Sequence, residues 1–512
     1  MRVGHPLVAS AIVFIASFCT LVIELIAGRI LAPWLGVSLY TWTSIIGVCL
    51  AGISAGNYAG GLIADRAPGT RTLSVLFLVS GALSLAILPL VEWVIGTQLG
   101  RDWPLMLRIL ADTTVVFFLP TFMLGTISPV VIKLSLADLS RAGSVVGRIY
   151  AVSTVGAIAG TFATGFVLID LMGTRAIVWA VAAVLFAAGL AVGRAWRSVP
   201  GLGAAGLALA LLGGAYVARG EFAPPCIEES NYYCIQVLEQ EIDGFAVKSL
   251  ALDHLVHSYV AMNDPTFIGY GYERVYQELT DFQIRERGAF RTLAIGAGGY
   301  TFPRYLTAAY PQATVDVVEI DPAVTAVARE HLGLPDDPRL TTYNRDARLW
   351  FIEERPAERY DIVYGDAFND VAIPFHLTTL EFDRMVRRSL RPDGIFMANI
   401  IDDYGRGEFL RASVRTMSEV FDHVHVFALG PLWEAGGPGT YVVVASAAPI
   451  DIEAFLRFDG PWTTPEKSSA VLPAQEMRRF LDAGRRIVLT DDHVPVDNLI
   501  APLFDVRASR GQ

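Results

Sequence analysis

Three runs in the second half of the sequence end in residues that can do chemistry. Thr292-Leu293-Ala294-Ile295 leads into Gly296-Ala297-Gly298-Gly299, and Val315-Asp316-Val317-Val318 ends in Glu319-Ile320-Asp321. Tyr360-Asp361-Ile362-Val363-Tyr364 ends in Gly365-Asp366. Glycines let a backbone approach a ligand closely, which makes Gly296 and Gly298 candidate binding positions. A carboxylate about 20 residues after such a turn, here Glu319, is placed to accept both hydroxyls of a ribose. Asp366 either faces a ligand or caps the following helix, and its place at the end of a central strand favours the ligand. The sequence has no phosphate-binding Walker loop, no zinc-like Cys/His spacing and no nucleophile elbow. His331, His376, His423 and His425 read as surface or core histidines, and no metal is expected.

These residues need a scaffold, and the pattern around them supplies one. Strand, glycine turn, helix and strand alternate from residue 291 onward. Helices are expected at Pro322–His331 and near 378–390, and a further strand at Ile395–Asn399. That alternation predicts a doubly wound, mostly parallel α/β sheet of Rossmann-like, methyltransferase type, with ligands at the carboxyl ends of its strands. Residues 228–262 alternate instead and contain Asp243-Gly244, a hairpin signal, so a small antiparallel β-sheet is expected there. A helix is expected at Tyr272–Arg285. The tail Leu489–Asn498 is acid-rich and either caps the site or ends the domain.

The first 220 residues follow different rules. The whole chain of 512 residues is 53% hydrophobic and only 18% charged, with mean hydropathy +0.45. Residues 1–220 carry a net charge of +6 and the remainder −17, giving the overall −11. The acidic half disfavours nucleic acid and suits cationic ligands. Seven apolar stretches, near 7–27, 40–63, 73–96, 113–133, 146–169, 175–193 and 199–218, have the length of membrane-spanning helices. The expected domains are therefore a polytopic all-α membrane domain at 1–220, a small sheet and connecting helix at 221–285, and the α/β domain at 286–512. The first stretch has no small-x-small cleavage site and reads as a span. Gly156, Gly160 and Gly165 read as helix-packing positions. Glu24 and Arg29 admit a structural ion pair or a transport role. Eight Lys/Arg on one side of the spans against five on the other favour the first side as cytoplasmic, which would put the acidic half outside. Cys226 and Cys234 would form a disulfide in an oxidising compartment and stay thiols in the cytoplasm. Cys19 and Cys49 read as packing residues.

Residues 228–446 resemble the spermidine synthase family of polyamine aminopropyltransferases, and the N-terminal spans resemble its membrane-fused branch. Tyr272-Glu273-Arg274-Val275-Tyr276-Gln277-Glu278-Leu279 is similar to the family's D-E-x-x-Y-x-E-M segment. Gly296–Thr301 lies where its G-G-G-D-G-G loop lies, with Arg304 following. Val317–Asp321 resembles V-E-I-D, Asn344–Ala347 the G-D-[GA] turn, and Tyr360–Asp366 the strand Y-D-x-I-x-x-D. The resemblance implies that Glu319 holds the ribose of decarboxylated S-adenosylmethionine and Asp346 its adenine amino group. Asp366 would be the catalytic acid facing the sulfonium and the incoming amine. Tyr276 and Gln277 would line the aminopropyl and amine pocket. Decarboxylated S-adenosylmethionine would be a co-substrate, with no permanently bound cofactor. A homodimer in a cell membrane is also implied, and cytoplasmic supply of the sulfonium donor favours the inner side for the acidic half, against the loop charges, so both sides stay open.

Two positions depart from the pattern. Gly299 stands where the family has an Asp that contacts the donor's free amine. Asn369 stands where it has an Asp that grips the acceptor, with Asp370 next to it as a possible substitute. Trp433 and Tyr441 offer cation–π contacts or core packing. The expected function is aminopropyl transfer to an amine. The alternatives are a non-catalytic transporter or sensor of a cationic metabolite, and S-adenosylmethionine-dependent methyl transfer. The segment Gly60–Arg66 resembles a loop of major facilitator transporters, which bears on the transport alternative.

Overall fold

The computed structural model describes residues 5–510 apart from 37, 98–102, 137, 194–225, 243, 254, 356–359, 368–372 and 462–467. The stretch 199–218, Asp243, Asn369 and Asp370 therefore lie outside the described residues. The chain divides into two compact units, Met1–Cys226 and Ile227–Gln512.

The first unit is helical because its sequence offers unbroken apolar runs whose backbone groups must bond within the segment. Its helices are α1 (Pro6–Leu35), α2 (Leu39–Arg66), α3 (Thr70–Thr97), α4 (Leu105–Gly125), α5 (Ile127–Ser135), α6 (Ala142–Ala163) and α7 (Thr174–Gly193). Among the described residues, six helical segments are long and apolar enough to cross a bilayer, α4 with α5 and α6 with its extension to Leu171 each forming one. They match the first six expected spans. A one-turn π-bulge at Thr164–Leu168 interrupts the fifth.

Glycine sets how closely these helices approach. A Cβ added at Gly156 or Gly160 of α6 would stand 2.5 Å from the carbonyl oxygen of Phe14 or Phe18 of α1. A Cβ at Gly56 of α2 would lie 2.0 Å from the Phe122 carbonyl of α4. Gly165 corrects the expectation made for it: it has open space around it. Ser17 and Ser153 add a hydrogen bond of 2.7 Å between α1 and α6. The segment Gly60–Arg66 is not a loop but the end of α2, since its backbone bonds continue the helix. Gly60 packs there against Thr126, and Asp65 pairs with Lys133 at 2.8 Å. Glu24 and Arg29 are half-buried in α1.

The second unit contains both sheets. An antiparallel sheet in the order β1-β2-β3-β4 comprises Glu228–Glu229, Cys234–Ile242, Phe245–Leu252 and Leu255–Ala261. Gly244, with φ +81°, makes the β2–β3 turn. Helix α8 (Gly271–Ile284) follows.

The larger sheet comprises β5 (Phe290–Ile295), β6 (Ala313–Glu319), β7 (Leu340–Asn344), β8 (Tyr360–Gly365), β9 (Leu390–Asp403), β10 (His423–Leu429), β11 (Pro438–Ser446) and β12 (Ser469–Val471). Their order is β12-β10-β11-β9-β8-β5-β6-β7. The five strands from β9 to β7 run parallel, and β11, β10 and β12 join antiparallel at the other edge. Residues such as Val315, Val317, Ile362 and Val363 are fully buried, as expected for strands covered on both faces. The connecting helices α9 (Thr301–Ala309), α10 (Pro322–His331), α11 (Ala347–Glu354), α12 (Leu380–Ser389) and α13 (Phe409–Ser418) provide that cover. The chain winds outward from β5 in one direction to β7, then returns to β8 on the other side. The switch point thus falls between β5 and β8, where sheets of this kind hold ligands.

Gly56→Ala should destabilise the helical unit by about 1–3 kcal/mol, because overpacking outweighs the helix-propensity gain of about 1 kcal/mol. Gly61→Ala, at a position with nothing within 4 Å, should leave the melting temperature equal or higher. Thermal unfolding of both variants in detergent checks the pair.

Candidate functional site

The switch point opens into a cavity of about 240 Å³. Gly296, with φ +86°, turns the chain at the end of β5. A Cβ there would lie 2.4 Å from the carbonyl oxygen of Asp366. The Asp366 amide donates to Ile295 at 2.9 Å. This close approach fixes the Asp366 side chain at the mouth between β5 and β8.

Asp366 is held by neutral donors. The Tyr272 hydroxyl donates to Oδ2 at 2.7 Å and the Asn399 amide to Oδ1 at 2.8 Å. Burial raises the Asp366 carboxyl above the usual carboxylate range, while those two hydrogen bonds pull it back. Glu319 accepts from the Ala297 amide and the Asp321 amide, both at 2.9 Å. Burial pushes it up to about 7. Gly298, with φ +49°, completes the turn beside it. Asp346 caps α11 through the Leu349 amide at 2.9 Å and meets His376 Nε2 at 2.7 Å.

Gly296, Gly298, Glu319, Asp346, Asp366 and Tyr276 therefore share one cavity. Gln277 does not line it: its amide donates to the Tyr305 hydroxyl at 3.0 Å, because the next position on α8 faces away from the cavity. Tyr276 is buried, with its hydroxyl 3.4 Å from the Gly365 carbonyl, and it is Tyr272 that reaches Asp366. Tyr441 is core, fully buried in β11, and Trp433 is half-buried; neither lines the cavity.

Glu273 and His376 are among the cavity residues not assigned to the site from the sequence. Glu273 on α8 is buried, takes the Tyr270 amide at 3.4 Å and is pushed up to about 8, first by burial and then by the charge of Asp366. Its place in the Tyr272–Leu279 segment was the available signal. His376 read as a surface or core residue, yet it lines the cavity and pairs with Asp346. No spacing rule reveals a contact across 30 residues. Arg348 then links the tail to this corner: it donates to the His376 carbonyl at 3.0 Å and to Asp491 at 2.7 Å. The tail packs on α12 and α13 through Leu489 rather than over the cavity.

Gly299 has a physical reason to lack a side chain. Ser258 of β4 fills the space, its Cβ 2.8 Å from where a Cβ at 299 would stand. Its hydroxyl oxygen accepts the Gly299 amide at 2.6 Å. The wall above Glu319 includes Tyr233, next to Cys234. Cys226 and Cys234 are disulfide-bonded. Cys19 and Cys49 are free and buried.

The second unit is thus a mixed α/β domain with an acid-lined crevice at its switch point, a buried carboxylate standing at the end of the second strand. No family model matches the chain. It is 37% identical over 131 residues to a probable polyamine aminopropyl transferase of Bifidobacterium longum, covering 25% of this chain and 28% of that one. It is 26% identical over 441 residues to polyamine aminopropyltransferase 2 of Ralstonia nicotianae, covering 79% of this chain and 80% of that one. The second match is too long for the acidic unit to supply alone. Among solved structures, a probable spermidine synthase from Corynebacterium glutamicum aligns with TM-score 0.44 and 22% identity, covering 52% of this chain and 97% of that one. The chain spans 28% and 37% of the length of two of the curated relatives it matches. The chain is thus similar, over these lengths, to proteins named polyamine aminopropyltransferases.

A carboxyl raised by folding keeps its proton while the unfolded chain has lost it, so its contribution to stability falls as pH rises from the unfolded pKa toward the folded one. For Glu273 that window runs from the ordinary glutamate value of 4.5 to about 8. Between pH 5 and pH 8, Glu273→Gln should therefore gain about 2–4 kcal/mol of stability relative to the parent. Denaturant titrations at the two pH values check this.

Proposed function

We propose that the acidic unit transfers an aminopropyl group from decarboxylated S-adenosylmethionine to an amine and releases methylthioadenosine. The observation that carries this reading is Asp366, a half-buried carboxylate at the switch point held by hydroxyl and amide donors. Glu319 would take the ribose hydroxyls and Asp346, steadied by His376, the adenine amino group. The neutral amine nitrogen attacks the carbon next to sulfur. The new C–N bond forms as the C–S bond breaks, and its electron pair neutralises the sulfonium. The product ammonium passes a proton to Asp366. A carboxylate whose affinity for protons is raised by burial is better suited to that step than an exposed one. Glu273, Glu319 and Asp366 favour the cationic donor, and the Tyr270, Tyr272 and Tyr276 rings, with centroids 5.6 and 5.5 Å apart in sequence, add polarisable faces.

One observation favours a second reading. The bonded pair Cys226 and Cys234 suits an oxidising compartment, as does the loop-charge bias, whereas the sulfonium donor is made in the cytoplasm. On that reading the unit binds an external cationic metabolite without transforming it. A C-terminal reporter fusion separates the two: an external reporter supports the binder, and a cytoplasmic one the transferase.

For the transferase, Asp366→Asn should lower methylthioadenosine release by about 10²–10⁴-fold, the usual contribution of general base catalysis. Donor affinity should change far less. Single-turnover assays with an amine panel, alongside donor titration, check both numbers. Equal rates in parent and variant would remove Asp366 from the chemistry.

A further inference from the structure

Glu24 is a half-buried acid inside the long apolar helix α1. It lies eleven residues before that helix ends at Leu35, and Cys49 lies ten residues after α2 begins at Leu39. At 1.5 Å per residue both stand roughly 15 Å from the same end of the helix pair, which is hydrocarbon depth for helices that span a bilayer. The two residues are neighbours across the pair: the charge of Glu24 acts on the thiol of Cys49, which is fully buried. Among the described residues the Glu24 carboxylate has no hydrogen bond and no ion pair. Arg29 does not supply one, because five residues along an α-helix turn a side chain by about 140°. An ionisable side chain at membrane depth is costly, and it is retained where it serves a pathway or a ligand.

The surroundings of Glu24 fit a ligand of one kind. Ser17, Glu24 and Gly28 are spaced by seven and four residues, so they share one face of α1. Thr20 and Gly28, one turn before and one turn after the acid, are buried. Ser17 bonds to Ser153 of α6. At Gly28 the space of a side chain is taken by Trp42 of α2: a Cβ there would stand 2.8 Å from Cζ2 and 2.9 Å from Cη2 of the indole. The ring therefore lies against the α1 backbone one turn from the carboxylate. Trp42 and Cys49, seven residues apart, share the facing side of α2. A single carboxylate with an indole and a thiol does not suit sodium, calcium or magnesium, which take several oxygen ligands. It suits an organic ammonium, whose charge the carboxylate balances and whose carbon-bound hydrogens the indole face attracts.

We propose that Glu24 and Trp42 form an alkylammonium site within the helical unit, at which the cation exchanges for a proton on the Glu24 carboxyl. The exchange balances: the carboxyl releases H⁺ as the ammonium arrives, and the charge of the site stays the same. The site does not depend on the transferase reading, since its residues belong to the other unit.

The test uses the full chain in lipid nanodiscs and dicyclohexylcarbodiimide, which reacts with a protonated carboxyl in an apolar setting. Labelling at Glu24 is read by mass spectrometry of the α1 peptide. The probe is tetramethylammonium chloride, with sodium chloride as the control for ionic strength. In the parent, tetramethylammonium should suppress labelling about fivefold or more, and sodium should not. Competition with a proton requires the half-protecting concentration to rise by up to about tenfold for each unit by which the pH falls. Trp42→Leu should raise that concentration about fivefold, whereas Trp42→Phe, which keeps a ring, should stay within about threefold of the parent. The second variant separates the ring's contribution from a packing defect. Absent labelling in the parent, labelling that tetramethylammonium leaves unchanged, equal protection by sodium or a half-protecting concentration indifferent to pH overturns the inference. So does a Trp42→Leu variant equal to the parent, or a Trp42→Phe loss as large as that of Trp42→Leu.

Discussion

Negative charge buried without an internal cation is the constraint that shapes the acidic unit. Among the described residues, Asp366, Glu319 and Glu273 have no ion-pair partner, and each is held by backbone amides, a hydroxyl or an amide side chain. Neutral donors lower the cost of a buried carboxylate without cancelling its charge. The contrast lies at the opposite ends of the same strands. Asp316 is paired with Arg291 at 2.7 Å, and Asp361 with Arg287 and Arg391. Acids that serve only the fold receive arginines, and acids at the strand ends do not. The crevice therefore keeps an unmet demand for positive charge, which suits the cationic ligand proposed for it.

Close backbone approach makes that arrangement possible. Gly296 lets the β5 turn lie against Asp366, and Asp366 in turn bonds back to β5. Side chains at 296 would push the two strand ends apart and move the carboxylate off the switch point. The helical unit relies on the same device for another end. Gly56, Gly156 and Gly160 bring helix backbones together where lipid gives no hydrophobic push between helices. In one unit glycine positions a charge, and in the other it replaces the missing driving force.

Much of this was legible in the sequence because local patterns and strand ends coincide. Helix Pro322–His331 falls on its expected bounds, and the strands ending at Glu319 and Gly365 lie within two residues of theirs. Hydrophobic runs and the Asp321-Pro322 start signal encode those elements directly. What stayed hidden depends on contacts between distant segments. His376 pairs with Asp346 across a 30-residue separation, and Tyr272 reaches Asp366 across 94. Gln277 was misplaced because adjacency in a motif says nothing about which face of α8 a side chain takes, and one residue turns a helix by about 100°. The helical character of Gly60–Arg66 was obscured by its glycine pair, which reads as a turn until its packing against Thr126 is seen.

One of the two departures from the family pattern has a physical origin that bears on recognition. At 299 the loss of an acid is enforced by packing. Ser258 occupies the volume and takes the backbone amide, so restoring an acid there would also require opening β4. On the proposed reading, donor recognition would then rest on Glu319, Glu273 and Asp366, the acids that the cavity does expose. A buried acid that neither caps its helix nor pairs with an arginine is hard to retain unless something binds it. Asp383 of α12 is such an acid, 2% exposed and lining a smaller cavity that shares Asn399 with the one holding Asp366.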